Sequence, residues 1–275
     1  MPHAMINGAR LFHDEAGAGE PILFHHGYMS SHDAWPDVAS HLQDSYRCIW
    51  MDCRGAGDSD HAPDGYTIRQ FADDVIAMAD HLGLSDFTYC GHSMGGVIGM
   101  ELALRYPDRL SRLILVAPGP ASGLEFDAAA HERGRQLWKD RAREILLIER
   151  IALAAREIPI AIHQQALERA LSVSEAHVEG GYRALVDFRA ELSRLTTPTL
   201  MVAGAADFLL EANLLDFLQL PNATLHVFSR VSHGIPREVP AELAAVIRDF
   251  MEHGVVTAAT LDAALLEREA SLTNP

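Results

Sequence analysis

Lysine is nearly absent from this chain: Lys139 stands alone among 22 basic residues. A Schiff-base mechanism, or a phosphate loop that needs a lysine, therefore has almost no candidate. Cysteine is scarce too. Cys48, Cys53 and Cys90 all fall on or beside expected strands. Small buried thiols in a reducing compartment are expected, not a disulfide. Cys53 stands out because it falls at a strand end beside a loop. Positive charge is also short, with 22 Lys+Arg against 38 Asp+Glu and a formal net charge of -16. Nucleic acid and anionic membrane surfaces are thus not expected partners. No apolar run approaches the roughly 20 residues that span a bilayer. The first 20 residues hold no basic segment followed by an apolar one, so no secretory signal is expected. A cytoplasmic protein is the expectation.

What is present is apolar bulk: 48% of 275 residues are hydrophobic. That is enough for a substantial core in one domain with an inserted subdomain. The most informative stretch is Phe87 to Gly99, F-T-Y-C-G-H-S-M-G-G-V-I-G. A short β-favouring run ends at Gly91, and a helix-like run begins at Met94. Between them lies a G-x-S-x-G pentapeptide in strand–turn–helix context. So tight a turn requires small residues two before and two after the serine, as Gly91 and Gly95 are. It lifts the Ser93 hydroxyl above the sheet edge and aims a helix N-terminus at it, where N–H groups favour an oxyanion.

Around this turn the chain alternates. Strands are expected at Ala9 to Glu15, Pro21 to His25, Tyr46 to Asp52, Phe87 to Cys90 and Leu113 to Ala117. Helices are expected at Trp35 to Leu42, Thr67 to Leu84 and Met94 to Tyr106. In Thr67 to Leu84, residues Ile68, Phe71, Val75, Met78, Ala79 and Leu82 recur at helical spacing. Apolar strands alternating with helices predict an α/β fold, a mostly parallel sheet covered on both faces. Its active site belongs at the carboxyl ends of the strands.

From 119 to 195 the strand signal stops. Helices are expected at His131 to Ile158, His163 to Ser172 and Ser174 to Leu195, with Pro159 between the first two. This insertion holds 11 of the 22 Lys+Arg but 12 of the 38 Asp+Glu, so its net charge is -1 and the remainder carries -15. That balance is a weak hint of tolerance for an anionic substrate; a self-paired, solvated helical face is the simpler reading of it. Strands return at Thr199 to Gly204 and Ala223 to Phe228, with helices at Leu210 to Leu218 and Pro240 to His253. The domain reading is a core of 1–118 and 196–254, a helical lid of 119–195 and a helical tail of 255–275. Leu261, Leu265 and Leu266 lie at helical spacing in the tail, which has an apolar face to dock on the body or in a homodimer.

A serine nucleophile needs a base, an acid that orients the base, and donors for the developing oxyanion. Asp207 follows one expected strand and His233 the next. The order Ser93, Asp207, His233, each just past a strand end, resembles the α/β-hydrolase superfamily. The resemblance extends over nearly the whole chain: His25-His26-Gly27, Arg54-Gly55-Ala56-Gly57-Asp58-Ser59, Gly91 to Gly96, Asp207 and Ser232-His233-Gly234. It implies a catalytic triad with Ser93 as nucleophile, His233 as base and Asp207 as the residue that orients it. It also implies an oxyanion hole from the N–H groups of Tyr28 and Met94. Asp207 equally suits a helix cap, and Glu125 and Asp127 are its nearest rivals. His26 and Trp138 are candidate pocket residues. Trp138 could equally pack its own helix. His92 is read as structural, Arg54 and Asp58 as loop-bracing. His25, His26, His32 and Asp33 match no ligand spacing, so neither a metal nor a cofactor is expected.

Departures from the resembling families narrow the reaction. Epoxide hydrolases and haloalkane dehalogenases of the superfamily carry Asp at the elbow where this chain has Ser93. Carbon–carbon hydrolases of ring cleavage usually have Asn before the nucleophile, where this chain has His92. The reading is hydrolysis of a carboxylic ester or lactone of a small, largely apolar substrate, resembling carboxylesterases and enol-lactonases. Cofactor-free haloperoxidases share the machinery. The alternatives are a carbon–carbon bond hydrolase using the same triad, or a small-molecule-binding, signalling protein that kept the fold.

Overall fold

The computed structural model describes residues 3–125, 129, 132 and 143–273. Eight strands build the sheet: β1 (His3–Ile6), β2 (Ala9–Ala16), β3 (Glu20–His25), β4 (Tyr46–Met51), β5 (Phe87–His92), β6 (Leu110–Val116), β7 (Thr199–Gly204) and β8 (Ala223–Phe228). Their spatial order is β1-β2-β4-β3-β5-β6-β7-β8. β1 and β2 run antiparallel at one edge, and the pairings from β4 to β8 are parallel.

The parallel strands are apolar on both faces, as helices on both sides require. On β3, Leu23 faces one core while Ile22 and Phe24 face the other; on β6, Leu113 and Leu115 oppose Ile114 and Val116. Helices α1 (Pro36–Ser40), α2 (Ile68–His81) and α3 (Met94–Arg105) belong to the first half of the chain. Thr67 caps α2 by accepting from the Gln70 N–H at 3.1 Å, which satisfies an otherwise orphaned donor. α3 is buried nearly all round, from Met94 to Ala103, as a helix between sheet and outer layer should be.

Between β6 and β7 stand α4 (Arg143–Leu153), α5 (Ile160–Ser172) and α6 (Glu175–Asp187). Then come α7 (Leu210–Phe217), α8 (Ile235–Glu238), α9 (Pro240–His253) and α10 (Ala258–Thr273). Among the described residues, no helix is long and apolar enough to cross a membrane.

Three boundaries differ from the expectation, each for a local reason. β1 is an added strand. It joins β2 through Asn7 (φ 46°) and Gly8 (φ 81°) with Ile6 opposite Ala9. Asn-Gly is the residue pair that a two-residue hairpin with two positive φ angles demands, so the signal lay in the sequence. α4 ends at Leu153 instead of Ile158. Pro159 disfavours helix in the residue before it, and Arg156 turns out to pair with Glu242 at 3.0 Å. α6 ends at Asp187, not Leu195. The Arg189 guanidinium takes the Val186 carbonyl at 2.7 Å, and the Ala190 N–H donates to Ala121 at 2.9 Å, so the chain leaves the helix to line up beside 121–124. In α10, Leu261, Leu265 and Leu266 are exposed and do not dock on the body.

The carboxyl edge of the sheet packs around buried histidines. His25, His26 and His177 share this region with His92 of the elbow, and burial is the largest cause of a lowered pKa in all four. His25 and His177 fall to about 4, His26 and His92 to about 3. Each is held as a neutral ring by one carbonyl. His26 Nδ1–H donates to Gly27 at 2.8 Å, while its Nε2 accepts the Cys53 N–H at 3.1 Å. Cys53 is itself buried, its thiol pushed well up by burial, so it is an inert packing group.

Two outcomes follow from the packing. A Cβ on Gly95 would meet the His25 carbonyl oxygen at 2.5 Å and that of His26 at 2.8 Å. These are backbone atoms that cannot yield without moving the end of β3. Gly95→Ala is expected to cost at least about 2 kcal/mol in urea unfolding; a loss under about 0.5 kcal/mol would contradict this packing. The histidines set the second outcome. The unfolded chain takes up protons near the ordinary histidine pKa of 6.5, while the four folded rings resist until about 4 or 3. Stability therefore falls as pH drops below about 6.5, by about 1.4 kcal/mol per unit for each ring until its folded pKa is reached. His32 works in the opposite sense. Burial opposes its charge, but its hydrogen bond to Asp52 prevails and raises its pKa. It is one ring against four, so unfolding free energy measured at pH 5 should lie below that at pH 7. Equal or greater stability at pH 5 would contradict the buried neutral rings.

Candidate active site

Ser93 sits between β5 and α3 with φ 55° and ψ -114°. A non-glycine residue in that region costs on the order of 1–3 kcal/mol and needs its surroundings to hold it. They do. Its N–H donates to the Val116 carbonyl at 3.0 Å, and its own carbonyl accepts from Gly96 at 2.9 Å and from Val97 and Gly119 at 3.2 Å. Tyr89 adds a hydroxyl bond to the Gly95 carbonyl at 2.9 Å.

The hydroxyl so presented meets His233. Ser93 Oγ lies 3.0 Å from His233 Nε2, and His233 Nδ1 lies 2.9 Å from Asp207 Oδ2. A carboxylate only accepts, so Nδ1 carries the proton, and in the neutral ring Nε2 is left to accept from the serine hydroxyl. The Asp207 side chain is fully buried, and its other oxygen accepts the Leu209 N–H at 3.0 Å. That second bond is the cap-like contact an Asp makes at a helix start. Here cap and histidine partner are the same residue. Glu125, its rival in the sequence, is exposed; Asp127 lies outside the described residues.

Two neighbours hold the histidine loop, and the sequence reading missed one of them. Glu238 accepts from the N–H groups of Ser232 (3.0 Å) and Gly234 (3.2 Å), and from the Ser232 hydroxyl. Residues 232–234 are thus gathered on one carboxylate. Its signal in the sequence was faint: a lone acid one helical turn after a histidine-glycine pair. His92, read as structural, donates Nε2–H to the His233 carbonyl at 2.8 Å. It braces the main chain of His233 rather than the sheet.

The expected donors of an oxyanion hole are close by. The Met94 N–H opens α3, and a Cβ on Gly27 would meet Ser93 Cβ at 2.9 Å. The strand-end loop that carries Tyr28 therefore passes in contact with the serine. Met29 in that loop has φ 51°. Among the described residues, the N–H groups of Tyr28 and Met94 meet no backbone or side-chain acceptor. The Tyr28 hydroxyl donates to the Val178 carbonyl at 2.6 Å, tying the loop to α6.

A cavity of about 370 Å³ opens on Ser93 and His233. Leu153 and Ala154 line it from the end of α4, Ile162 and Ala166 from α5, and Met29 and Phe208 from the core. Arg150 and Arg237, which the sequence reading did not single out, also line it. His26 does not. Its ring is fully buried and held by Gly27 and Cys53, so its placement as a pocket residue is corrected here: both ring nitrogens are spent inside the protein. Trp138 lies outside the described residues. His32 and Asp33, considered with His25 and His26 as a metal set, instead bond to neighbouring elements. His32 Nδ1 lies 2.7 Å from Asp52, and Asp33 pairs with Arg169 at 2.6 Å. Arg54 forms a buried two-point pair with Asp74 at 2.8 Å, and Asp58 meets Arg169 at 2.7 Å.

Known proteins resemble this chain in sequence and fold. Residues 20–149 match the family described as the alpha/beta hydrolase fold. A non-heme chloroperoxidase of Kitasatospora aureofaciens is 30% identical, over 90% of this chain and 96% of that protein. A pimeloyl-[acyl-carrier protein] methyl ester esterase of Photobacterium profundum is 31% identical, over 86% of this chain and 96% of that protein. Among solved structures, an N-acyl homoserine lactone degrading enzyme superposes with a TM-score of 0.78 at 30% identity, covering 90% of this chain and all of that one. With its parallel sheet, its strand–turn–helix serine and these relatives, the chain belongs to the α/β-hydrolase fold family.

Proposed function

We propose that this protein is a serine hydrolase that cleaves a carboxylic ester or lactone through an acyl-enzyme. The observation that carries the reading is the relay from Ser93 Oγ through His233 to Asp207, at 3.0 Å and 2.9 Å, at the mouth of the cavity.

His233 Nε2 takes the Ser93 proton as Oγ attacks the substrate carbonyl, and Asp207 stabilises the imidazolium that forms. The tetrahedral oxyanion is received by the N–H groups of Tyr28 and Met94. His233 returns its proton to the departing alkoxide oxygen. The acyl group stays on Ser93 until water, deprotonated by the same imidazole, releases the acid. Asp207, buried and shared between His233 and Leu209, fixes the tautomer that this sequence requires. His92 and Glu238 act through His233 by holding its main chain.

The stretch 150–166 serves as the roof of the site, since it supplies Leu153, Ala154, Ile162 and Ala166 to the cavity wall. That wall suits a small substrate with an apolar body. Relatives named as a methyl ester esterase and, at 29% identity over 68% of this chain, a 3-oxoadipate enol-lactonase of Acinetobacter baylyi support the ester and lactone classes. The chloroperoxidase match favours a second outcome at the same site. In it, hydrogen peroxide replaces water in attacking the acyl-enzyme, and a peracid leaves as Ser93 is regenerated.

Purified protein is expected to turn over p-nitrophenyl acetate and butyrate repeatedly. Ser93→Ala should lower kcat by several orders of magnitude with the fold intact by circular dichroism. Turnover that survives in Ser93→Ala would remove this reading.

A further inference from the structure

Arginines around the site are mostly paired. Arg156 meets Glu242 at 3.0 Å, and Arg169 meets Asp33 at 2.6 Å and Asp58 at 2.7 Å. Arg150 of α4 and Arg237 of α8 are the contrast. Both are partly buried and both line the cavity with Ser93 and His233. Neither guanidinium has an ion-pair partner among the described residues. The carboxylate that shares their cavity, Glu238, is already committed to Ser232 and Gly234. Burial, and then the like charge of Arg150, lowers Arg237 to about 10, and burial lowers Arg150. Both remain cations at neutral pH. His163, on the same wall, is lowered by burial and then by Arg150. The ring therefore resists becoming a third positive charge.

Keeping two cations near each other and partly away from water, with no anion between them, is costly. It is more so to place them in the wall of a reaction cavity, where apolar side chains would stabilise the fold better. A chain of net charge -16 has carboxylates to spare, yet among the described residues none forms an ion pair with either guanidinium; Asp33 and Asp37 act on Arg237 only as more distant charges. Guanidinium forks match a carboxylate in two-point geometry. We propose that the substrate bears a free carboxylate besides its scissile ester or lactone, and that Arg150 and Arg237 bind it. The inference rests on the serine-hydrolase reading for the reacting bond, but not for the anion site itself. The substrate is then an apolar chain or ring with one anionic head. Against the acidic exterior, these two charges select the end of the molecule that enters their part of the cavity.

The test uses Ser93→Ala, which cannot acylate, and two matched pairs of intact esters followed by calorimetric titration. One pair is ethyl hydrogen adipate and ethyl hexanoate, with the carboxylate on the acyl side. The other is 6-acetoxyhexanoate and hexyl acetate, with it on the alcohol side. In at least one pair the anion should bind about 10- to 100-fold tighter than its neutral partner, as a charge-assisted bond predicts. Adding Arg150→Gln or Arg237→Gln should shrink that preference at least about 10-fold, and Arg237→Lys should restore part of it. Equal binding within both pairs, or a preference that survives both Gln substitutions together, would overturn the proposal. Wild-type protein that prefers the anionic esters in binding yet hydrolyses none of the four would overturn the hydrolase reading and leave the anion site standing.

Discussion

The left-handed backbone of Ser93 is the constraint on which the rest of the site depends. At φ 55° the residue cannot hold itself. Four hydrogen bonds on its own N–H and carbonyl hold it, from β6, from the first turn of α3 and from Gly119. Because β5 ends and α3 begins at this residue, the hydroxyl is carried on two rigid elements. Gly95 lies against the end of β3, and the loop beyond β3 runs past the serine at Gly27. The strained turn and the proposed oxyanion donors are thus fixed by one packing arrangement.

The proposed base is held by different means. His233 comes from a loop after β8, and three separate groups hold that loop: Asp207 on the ring, His92 on its carbonyl, Glu238 on the amides either side. Buried carboxylates are tolerated here because each accepts several N–H bonds. The neutral histidines beneath them give the same region its expected sensitivity to acid. A site made of many partly satisfied polar groups would be loose; His233, with both ring nitrogens bonded, keeps a single tautomer.

Much of this was legible in the sequence because the relevant signals are local. Apolar runs bounded by glycine and proline announce buried parallel strands, and Gly91-x-Ser93-x-Gly95 is a steric statement about one turn. Residues after three strand ends are brought together by sheet topology alone, so Ser93, Asp207 and His233 could be named in advance and do meet. What stayed hidden depends on side-chain direction. His26 follows a strand end just as the serine does, but its ring points inward to Cys53. Arg150 looks like any cation of an amphipathic helix until it is seen to have no ion-pair partner among the described residues. Glu238 gives no sign that it gathers three donors. β1 was missed for another reason: four residues are too few for an alternation, and its Asn7-Gly8 turn had to be read as the signal.

The contrast of charge deserves equal weight with the triad. In the proposal, two guanidinium groups without an ion-pair partner among the described residues select the substrate, whereas the proposed triad alone is indifferent to what the acyl group carries. The proposed hydrolysis rests on one claim: that Ser93 becomes covalently acylated. The most direct measurement is peptide mass spectrometry of protein quenched in acid during turnover of p-nitrophenyl butyrate. The account predicts a butyryl adduct on the peptide containing Ser93, absent from Ser93→Ala and diminished in His233→Ala. An adduct on another residue, or rapid turnover with no adduct at any quench time, would contradict it.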